Sequence, residues 1–206
     1  MPDFIGDNNS NIIRGTNLND FISGLGGNDT LIGLDGNDTM VGGGGGDTLT
    51  AGNGNDSLSG GSSFDDLLGG PGNDKLSGGS ENDKLNGESG ADRMTGGSGF
   101  DIFNFRSSSA SGSLGAGNRD VITDFVRGQD IIDLFGIDAK ANTSGNQSFT
   151  PIGAQAFTAE GQVRFISQVG STQGTLVQMN TSGTSGAEIE IELQNTLFVT
   201  DNDFVF

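Results

Sequence analysis

Aspartate recurs in this chain at an interval of nine residues. Stepping in nines from Gly6, the sixth place of each unit reads Asn11, Asp20, Asp29, Asp38, Asp47, Asp56, Asp65, Asp74, Asp83, Asp92 and Asp101. A carboxylate is a hard oxygen ligand, and a hard cation such as Ca²⁺ takes about six to eight oxygens. One carboxylate per turn cannot fill that shell, so backbone carbonyls must supply the rest. The surrounding glycines allow it, because Gly takes positive φ and lets several carbonyls converge on one point. In "GLGGNDTLIGLDGNDTMV" (24–41) nearly the same nine residues are written twice.

The elements that would hold this column follow from the eighth place. It reads Ile13, Ile22, Leu31, Met40, Leu49, Leu58, Leu67, Leu76, Leu85, Met94 and Phe103, and Phe4 falls in the same phase. Alternate residues of a strand face opposite ways, so three residues centred on the apolar one predict a short strand with a single inward side chain. The six before it form a turn. If nine residues make one strand and one turn, eighteen make a coil with two parallel sheets. Turns two units apart then stack, Asp20 with Asp38, Asp56, Asp74 and Asp92 on one edge, Asp29 with Asp47, Asp65, Asp83 and Asp101 on the other. Ions lying between neighbouring turns would number up to roughly eight.

Turn preference alone, which favours Asp and Asn for local reasons, does not account for the column. It would not fix the sixth place while the fifth varies among Asn, Gly, Ala, Ser and Phe. Some units depart from the pattern. Leu18, Ser63 and Glu81 stand where the closing Gly of the GGxG turn is expected, and Ala51 replaces its first Gly. Those turns are expected to bind weakly or to hold no ion. The run "GGGGG" (42–46) lacks the Lys and following helix of a phosphate loop, and "DGND" (35–38) lacks the flanking helices of an EF-hand.

Composition bounds the rest. The 206 residues include 38 Gly, no Cys and no His, with a formal net charge of −18. Lack of His and Cys excludes His-based acid–base catalysis, thiol nucleophiles, disulfides and the usual zinc sites. So acidic a chain is a poor ligand for nucleic acid or an anionic membrane, and divalent cations are its natural counterions. A glycine-rich, self-repelling chain loses much entropy on ordering, so metal binding and folding are predicted to be coupled. The start "MPDFIGDNNS" has no basic segment before an apolar run, unlike a Sec-type signal peptide, and no stretch reaches the apolar length of a membrane span.

The residue after each Asp faces solvent and reads Thr30, Thr39, Thr48, Ser57, Asp66, Lys75, Lys84 and Arg93. Lys75 and Arg93 are predicted neighbours on one sheet, which costs energy unless an anion lies across them. They form either a solvated face or a track for an anionic polysaccharide.

The units match GGxGxDxUx and are identified as RTX calcium-binding nonapeptides. Eleven units (6–104) imply an all-β fold, a right-handed parallel β-roll over residues 1–104. At Phe105 the rhythm breaks into the Ser/Gly-rich "FRSSSASGSLGAGNRD", and "GAGNRDVIT" (115–123) reads as one degenerate unit with Asp120 in the metal column and Ile122 in the apolar one. Beyond it, alternation in "QVRFISQ", "TLVQMN" and "AEIEIELQ" predicts antiparallel strands.

A second resemblance covers most of residues 96–206. "GGSGFDIFNF", "DVITDFVRGQDIIDLFGIDA", "GQVRF" and the ending "DNDFVF" together resemble the C-terminal domain of the serralysin metalloproteases. That resemblance implies a β-sandwich-like cap over residues 105–206, Asp120 as a calcium ligand, and a type I secretion signal in which Asp203 precedes Phe204, Val205 and Phe206. Ser107 stands where some relatives carry an acidic ligand. The zinc protease domain of serralysins has no counterpart here, so their catalysis does not carry over. The expected protein is a non-enzymatic, calcium-folded module, secreted by the Gram-negative type I machinery and supporting itself or an attached catalytic domain. The alternative is a polysaccharide-binding module similar to the R-modules of alginate epimerases, using the Lys75, Lys84 and Arg93 region.

Overall fold

Each unit sends one apolar side chain inward and then turns, and the chain winds accordingly. In the computed structural model, residues 1–105, 119–137, 148–169, 174–181, 189–196 and 198–206 are described. The first twelve strands follow the repeat: β1 (Asp3–Ile5), β2 (Ile12–Arg14), β3 (Phe21–Gly26), β4 (Thr30–Asp35), β5 (Thr39–Gly44), β6 (Thr48–Asn53), β7 (Ser57–Ser62), β8 (Asp66–Pro71), β9 (Lys75–Ser80), β10 (Lys84–Ser89), β11 (Arg93–Ser98) and β12 (Ile102–Asn104). Odd strands pair in parallel in one sheet and even strands in another. Every partner lies eighteen residues away, as in Ile22 with Met40 and Leu31 with Leu49. The fold is an all-β parallel solenoid, as the nine-residue period requires.

The core is the eighth place of each unit. Ile22, Leu31, Met40, Leu49, Leu58, Leu67, Leu76, Leu85, Met94 and Phe103 are all buried between the two sheets. The strands are longer than the expected three residues. From β3 to β11 they run to six, because the ladder skips the first residue of the next unit and resumes at its second and third, as in Leu25 with Gly43 and Gly26 with Gly44. The positive φ at the second place makes this resumption possible: Gly43, Gly61, Gly79 and Gly97 stand at 114°, 122°, 127° and 105°.

Seven more strands extend these same two sheets. β13 (Asp120–Ile122) joins β11 in parallel, and β14 (Ile131–Asp133) joins β12. The odd-strand sheet then continues through β18 (Ile189–Leu193), β17 (Gly174–Asn180), β16 (Gln162–Val169) and β15 (Thr150–Pro151). Pairing of β16 with β17 and of β17 with β18 is antiparallel, as alternation in those segments predicts. In the even-strand sheet β14 is followed by β19 (Phe204–Val205). The C-terminal "DFVF" is therefore the last strand of a sheet, with Phe204 stacked on Phe165 and Phe206 at centroid distances of 5.0 and 5.6 Å. Ser107 and the segment 115–118 of the degenerate unit lie outside the described residues. No helix is long and apolar enough to cross a membrane among the described residues.

Candidate metal centre

Each Asp of the column sits just before its strand, at the outer rim of a turn, and each is buried. Its two carboxylate oxygens have different fates. Oδ1 accepts a hydrogen bond from the backbone N–H of the Asp one coil earlier: Asp38 from Asp20 at 2.8 Å, Asp56 from Asp38 at 2.6 Å, Asp74 from Asp56 at 2.8 Å and Asp92 from Asp74 at 2.8 Å. The other edge repeats this through Asp29, Asp47, Asp65, Asp83 and Asp101. Both predicted columns therefore exist as continuous stacks.

Oδ2 is buried without a partner in Asp29, Asp38, Asp47, Asp56, Asp65, Asp74, Asp83, Asp92, Asp101 and Asp120. An unpaired buried carboxylate oxygen is costly, and a whole column of them needs a common explanation. In Asp29, Asp38, Asp47, Asp65, Asp74, Asp83, Asp92 and Asp101 Oδ2 lies against the first Gly of its own unit, in the space a Cβ there would take, whereas Asp56 stands in the unit that Ala51 opens. A Cβ added to Gly42 would fall against Asp47 Oδ2 and 2.7 Å from the Gly60 carbonyl oxygen. At Gly78 it would meet Asp83 Oδ2 and the Gly96 carbonyl at 2.7 Å, and at Gly69 Asp74 Oδ2 and the Gly87 carbonyl at 3.0 Å. The missing Cβ lets a carboxylate oxygen of one turn and a carbonyl oxygen of the next coil both approach the same glycine closely. Among the described residues no three acidic side chains converge, so backbone oxygens must complete any shell. That donor set suits a hard divalent cation, and calcium in particular.

Electrostatics point the same way. Burial pushes Asp65, Asp74 and Asp83 up to about 7, and Asp56 and Asp92 up to about 6, the backbone N–H bonds opposing the rise and like-charged neighbours in the stack adding to it for most. Asp120 is driven to about 8 by the same burial. Asp38, Asp47 and Asp101 are also raised, again chiefly by desolvation. Without a counter-charge Asp65, Asp74, Asp83 and Asp120 hold a large share of the proton near neutrality.

Two predicted positions behave differently from the rest. Asp20 keeps its place in the first column, but Thr16 satisfies it through its N–H at 2.5 Å and its hydroxyl at 3.0 Å. Asn11 likewise turns its amide oxygen to the Asp7 N–H at 2.8 Å. The first coil thus closes on itself. Of the turns with irregular glycines, Ser63 and Glu81 hold positive φ at 81° and 75°, and the Asp65 and Asp83 oxygens behind them remain unpaired.

One column residue escaped the nine-step reading. Asp130 accepts from the Asp101 N–H at 3.1 Å and from the Val126 N–H at 2.7 Å, extending the second stack by one coil. The signal was present in "GQDII" (128–132), which has the same Gly, Asp and Ile spacing as the units, but it lies 29 residues beyond Asp101. Asp120 extends the first stack in the same way, accepting from the Asp92 N–H at 2.8 Å.

A family model for the RTX calcium-binding nonapeptide repeat matches in four copies, over residues 5–40, 32–67, 41–76 and 68–103. Residues 5–103 belong to the RTX calcium-binding repeats. The RTX assignment and the buried carboxylate column thus rest on the same residues. No curated protein sequence matches the chain. Among solved structures it is similar to the AlgE6R2 subunit of a mannuronan C5-epimerase from Azotobacter vinelandii, at 21% identity over 100% of this chain and 92% of that one, with a TM-score of 0.37. The AlgE6R3 subunit of the same enzyme is similar at 19% identity over 97% and 80%, with a TM-score of 0.31. The RTX β-roll is a non-catalytic, calcium-binding module, and RTX repeat proteins are typically extracellular.

Proposed function

We propose that the chain is a calcium-folded export module. It crosses the cell envelope unfolded, where calcium is scarce, and folds outside, where calcium is plentiful. The observation that carries this is the set of buried Asp Oδ2 atoms without partners, which leaves the metal-free roll electrostatically unstable. Bound calcium would supply the missing positive charge and tie neighbouring coils together. The ligands would be Asp29, Asp38, Asp47, Asp56, Asp65, Asp74, Asp83, Asp92, Asp101 and Asp120 with the facing turn carbonyls, for roughly eight ions. Residues 1–104 would form the calcium roll, and residues 105–206 its cap.

Far-UV circular dichroism of a chelated sample titrated with calcium tests the reading. A cooperative gain of strand content is expected; full strand content in chelator would overturn it. The export part rests on the serralysin-like resemblance of the C-terminal half. Deleting residues 203–206 should stop secretion, and normal secretion of the truncated chain would refute the signal. Because β19 pairs with β14, the same truncated chain needs its own calcium titration, which separates lost export from lost folding.

A second reading has one observation in its favour. Arg93 lies directly opposite Lys75 in the parallel register, the like-charged pair expected of an anion track. Lys84 does not join them: it lies on the opposite sheet and pairs with Asp66 at 3.7 Å. An anionic polysaccharide would thus use Lys75 and Arg93 alone. Loss of alginate binding in a Lys75→Glu, Arg93→Glu variant with intact calcium folding is the outcome expected of that reading, and absence of binding in the wild type excludes it.

A further inference from the structure

A singly exposed apolar side chain needs no explanation. Phe64 does, because the roll would be better served by another residue there. It fills the fifth place of its turn, is 54% exposed and, lacking a side-chain oxygen, leaves the outer row of hydrogen bonds on this edge open between Gly46 and Asn82. Glu81, in the adjoining coil, holds a φ of 75° where Gly27, Gly45 and Gly99 close turns of the same edge at 94°, 109° and 145°. A left-handed Glu carries strain that a Gly there would not. Neither residue helps the roll, and the two meet at one place.

That place is an open cavity of about 540 Å³ on the outer rim, whose lining includes Asn28, Gly45, Gly46, Asp47, Phe64 and Glu81. Gly46 makes the room, since it has no side chain at the position that Asn28 and Phe64 fill in the neighbouring coils. Asp47 is buried and belongs to the carboxylate column, whereas Glu81 is exposed and has no cationic partner among the described residues. Among those residues no Lys or Arg lines the cavity. A Phe ring attracts a cation held within about 6 Å of its centroid, and a carboxylate beside it adds to the attraction. A phenyl wall offers no oxygen toward the six to eight or so that Ca²⁺ takes, so the cation is organic. A primary ammonium brings three N–H donors that each want an acceptor, and Asn28 Oδ1 at the rim is already engaged by the Gly46 N–H at 3.0 Å. A fully methylated ammonium asks for none.

We propose that this cavity binds a small quaternary ammonium compound, its charged head over the Phe64 ring and beside the Glu81 carboxylate. Phe64 supplies the aromatic face, Glu81 the counter-charge, and the Gly45–Gly46 pair the space. Phe100 provides a contrast within the same edge. It occupies the fifth place two coils beyond Phe64, about 10 Å away. It is 61% exposed but does not line the cavity.

The test is saturation-transfer NMR of choline with the full chain, in whichever condition, calcium or chelator, gives full strand content by circular dichroism. Failure of the calcium reading therefore leaves this test intact. The wild type should transfer saturation to the choline methyl groups, with a response that reaches a plateau on titration. Phe64→Asn should weaken binding about tenfold. It should fold at least as well as the wild type, because it supplies an acceptor that the outer row lacks. Glu81→Ser should weaken binding about threefold, the share of an exposed counter-charge. Phe64→Trp should strengthen it, Trp being the best partner for a cation, and Phe100→Asn should leave it unchanged. Lysine should displace choline only at about tenfold higher concentration. Absence of transfer in the wild type, binding indifferent to Phe64→Asn or to Glu81→Ser, an equal loss in Phe100→Asn, or displacement by lysine at equal concentration would each overturn the proposal.

Discussion

The two edges of the roll carry the same carboxylate stack but not the same outer frame. On the edge of Asp38, Asp56 and Asp74, the fifth place of each turn is Asn19, Asn37, Asn55 and Asn73. Each side-chain oxygen accepts from the backbone N–H of the next coil, at 2.8, 2.8, 2.7 and 2.8 Å in turn. The closing glycines on this edge, Gly36, Gly54, Gly72 and Gly90, stand at φ of 123°, 155°, 149° and 145°. On the other edge the ladder runs from Ser10 to Asn28 to Gly46, and stops because Gly46 and Phe64 have no side-chain oxygen to offer. It resumes only between Asn82 and Phe100 at 2.8 Å. That edge also holds Ser63 and Glu81 in left-handed backbone. What both edges share is the part that chemistry requires; where they differ, the frame is merely stabilising.

The largest expected effect acts on both edges alike. Burial raises the column carboxyls on each edge, so each binds its proton more tightly in the roll than in the unfolded chain. Their contribution to the stability of the metal-free fold is present below the ordinary value of 3.8 and is lost as pH rises through about 6 to 8. Metal-free protein should therefore gain strand content on acidification from about pH 8 to pH 4, read by circular dichroism in chelator. Calcium affinity should fall over the same window as protons compete for the carboxylates. Loss of strand content on acidification would contradict the electrostatic account of both edges.

Next in size is a change that should hurt one edge only. A Cβ at Gly72 would collide with the Gly54 carbonyl oxygen. Gly72→Ser should cost about 3 kcal/mol in denaturant unfolding at saturating calcium, the upper end of local backbone strain. Glu81→Ser places the same residue at the same turn position on the other edge, where a side chain is already accommodated, and should be close to neutral. Equal losses would mean that the difference in φ between the edges is unimportant.

A smaller contrast lies within the first edge. Asp74→Ala removes a buried carboxylate and leaves the Asp56 N–H without its acceptor, about 2 kcal/mol at saturating calcium. Asp20→Ala loses only its local bonds to Thr16, about 1 kcal/mol, and should barely move the calcium midpoint. A calcium midpoint that shifts as far for Asp20→Ala as for Asp74→Ala would place the first coil inside the metal ladder after all.

These contrasts also show what the sequence could reveal. A nine-residue period dictates the coil, the inward column and the stacking of Asp with Asp, because strand alternation and chain connectivity leave no other arrangement. Which carboxylate oxygen is bonded and which is left unpaired does not follow from the period and emerges only from the geometry of the stack. The self-contained first coil was less visible, since it depends on Thr16 and Asp7 bonding four residues along rather than on any break in the period. Asp130 was hidden by the irregular 29-residue step from Asp101, a spacing that only pairing of β12 with β14 fixes. That Lys84 parts from Lys75 and Arg93 follows from parity: residues nine apart fall on opposite sheets.

The smallest effect would repair the weaker edge. Phe64 is 54% exposed, so its ring gains little from burial, and it stands where four turns of the other edge carry Asn. Phe64→Asn would give the Asn82 N–H a side-chain acceptor and restore one of the two missing links of the ladder. One recovered hydrogen bond is about 1 kcal/mol. The variant should unfold at higher denaturant and fold at slightly lower calcium than the wild type, whereas Asn55→Phe should do the reverse by opening the intact ladder at one coil. If both substitutions leave the calcium midpoint unchanged, the outer Asn ladder contributes nothing to metal-linked folding, and the two edges are equivalent in all but appearance.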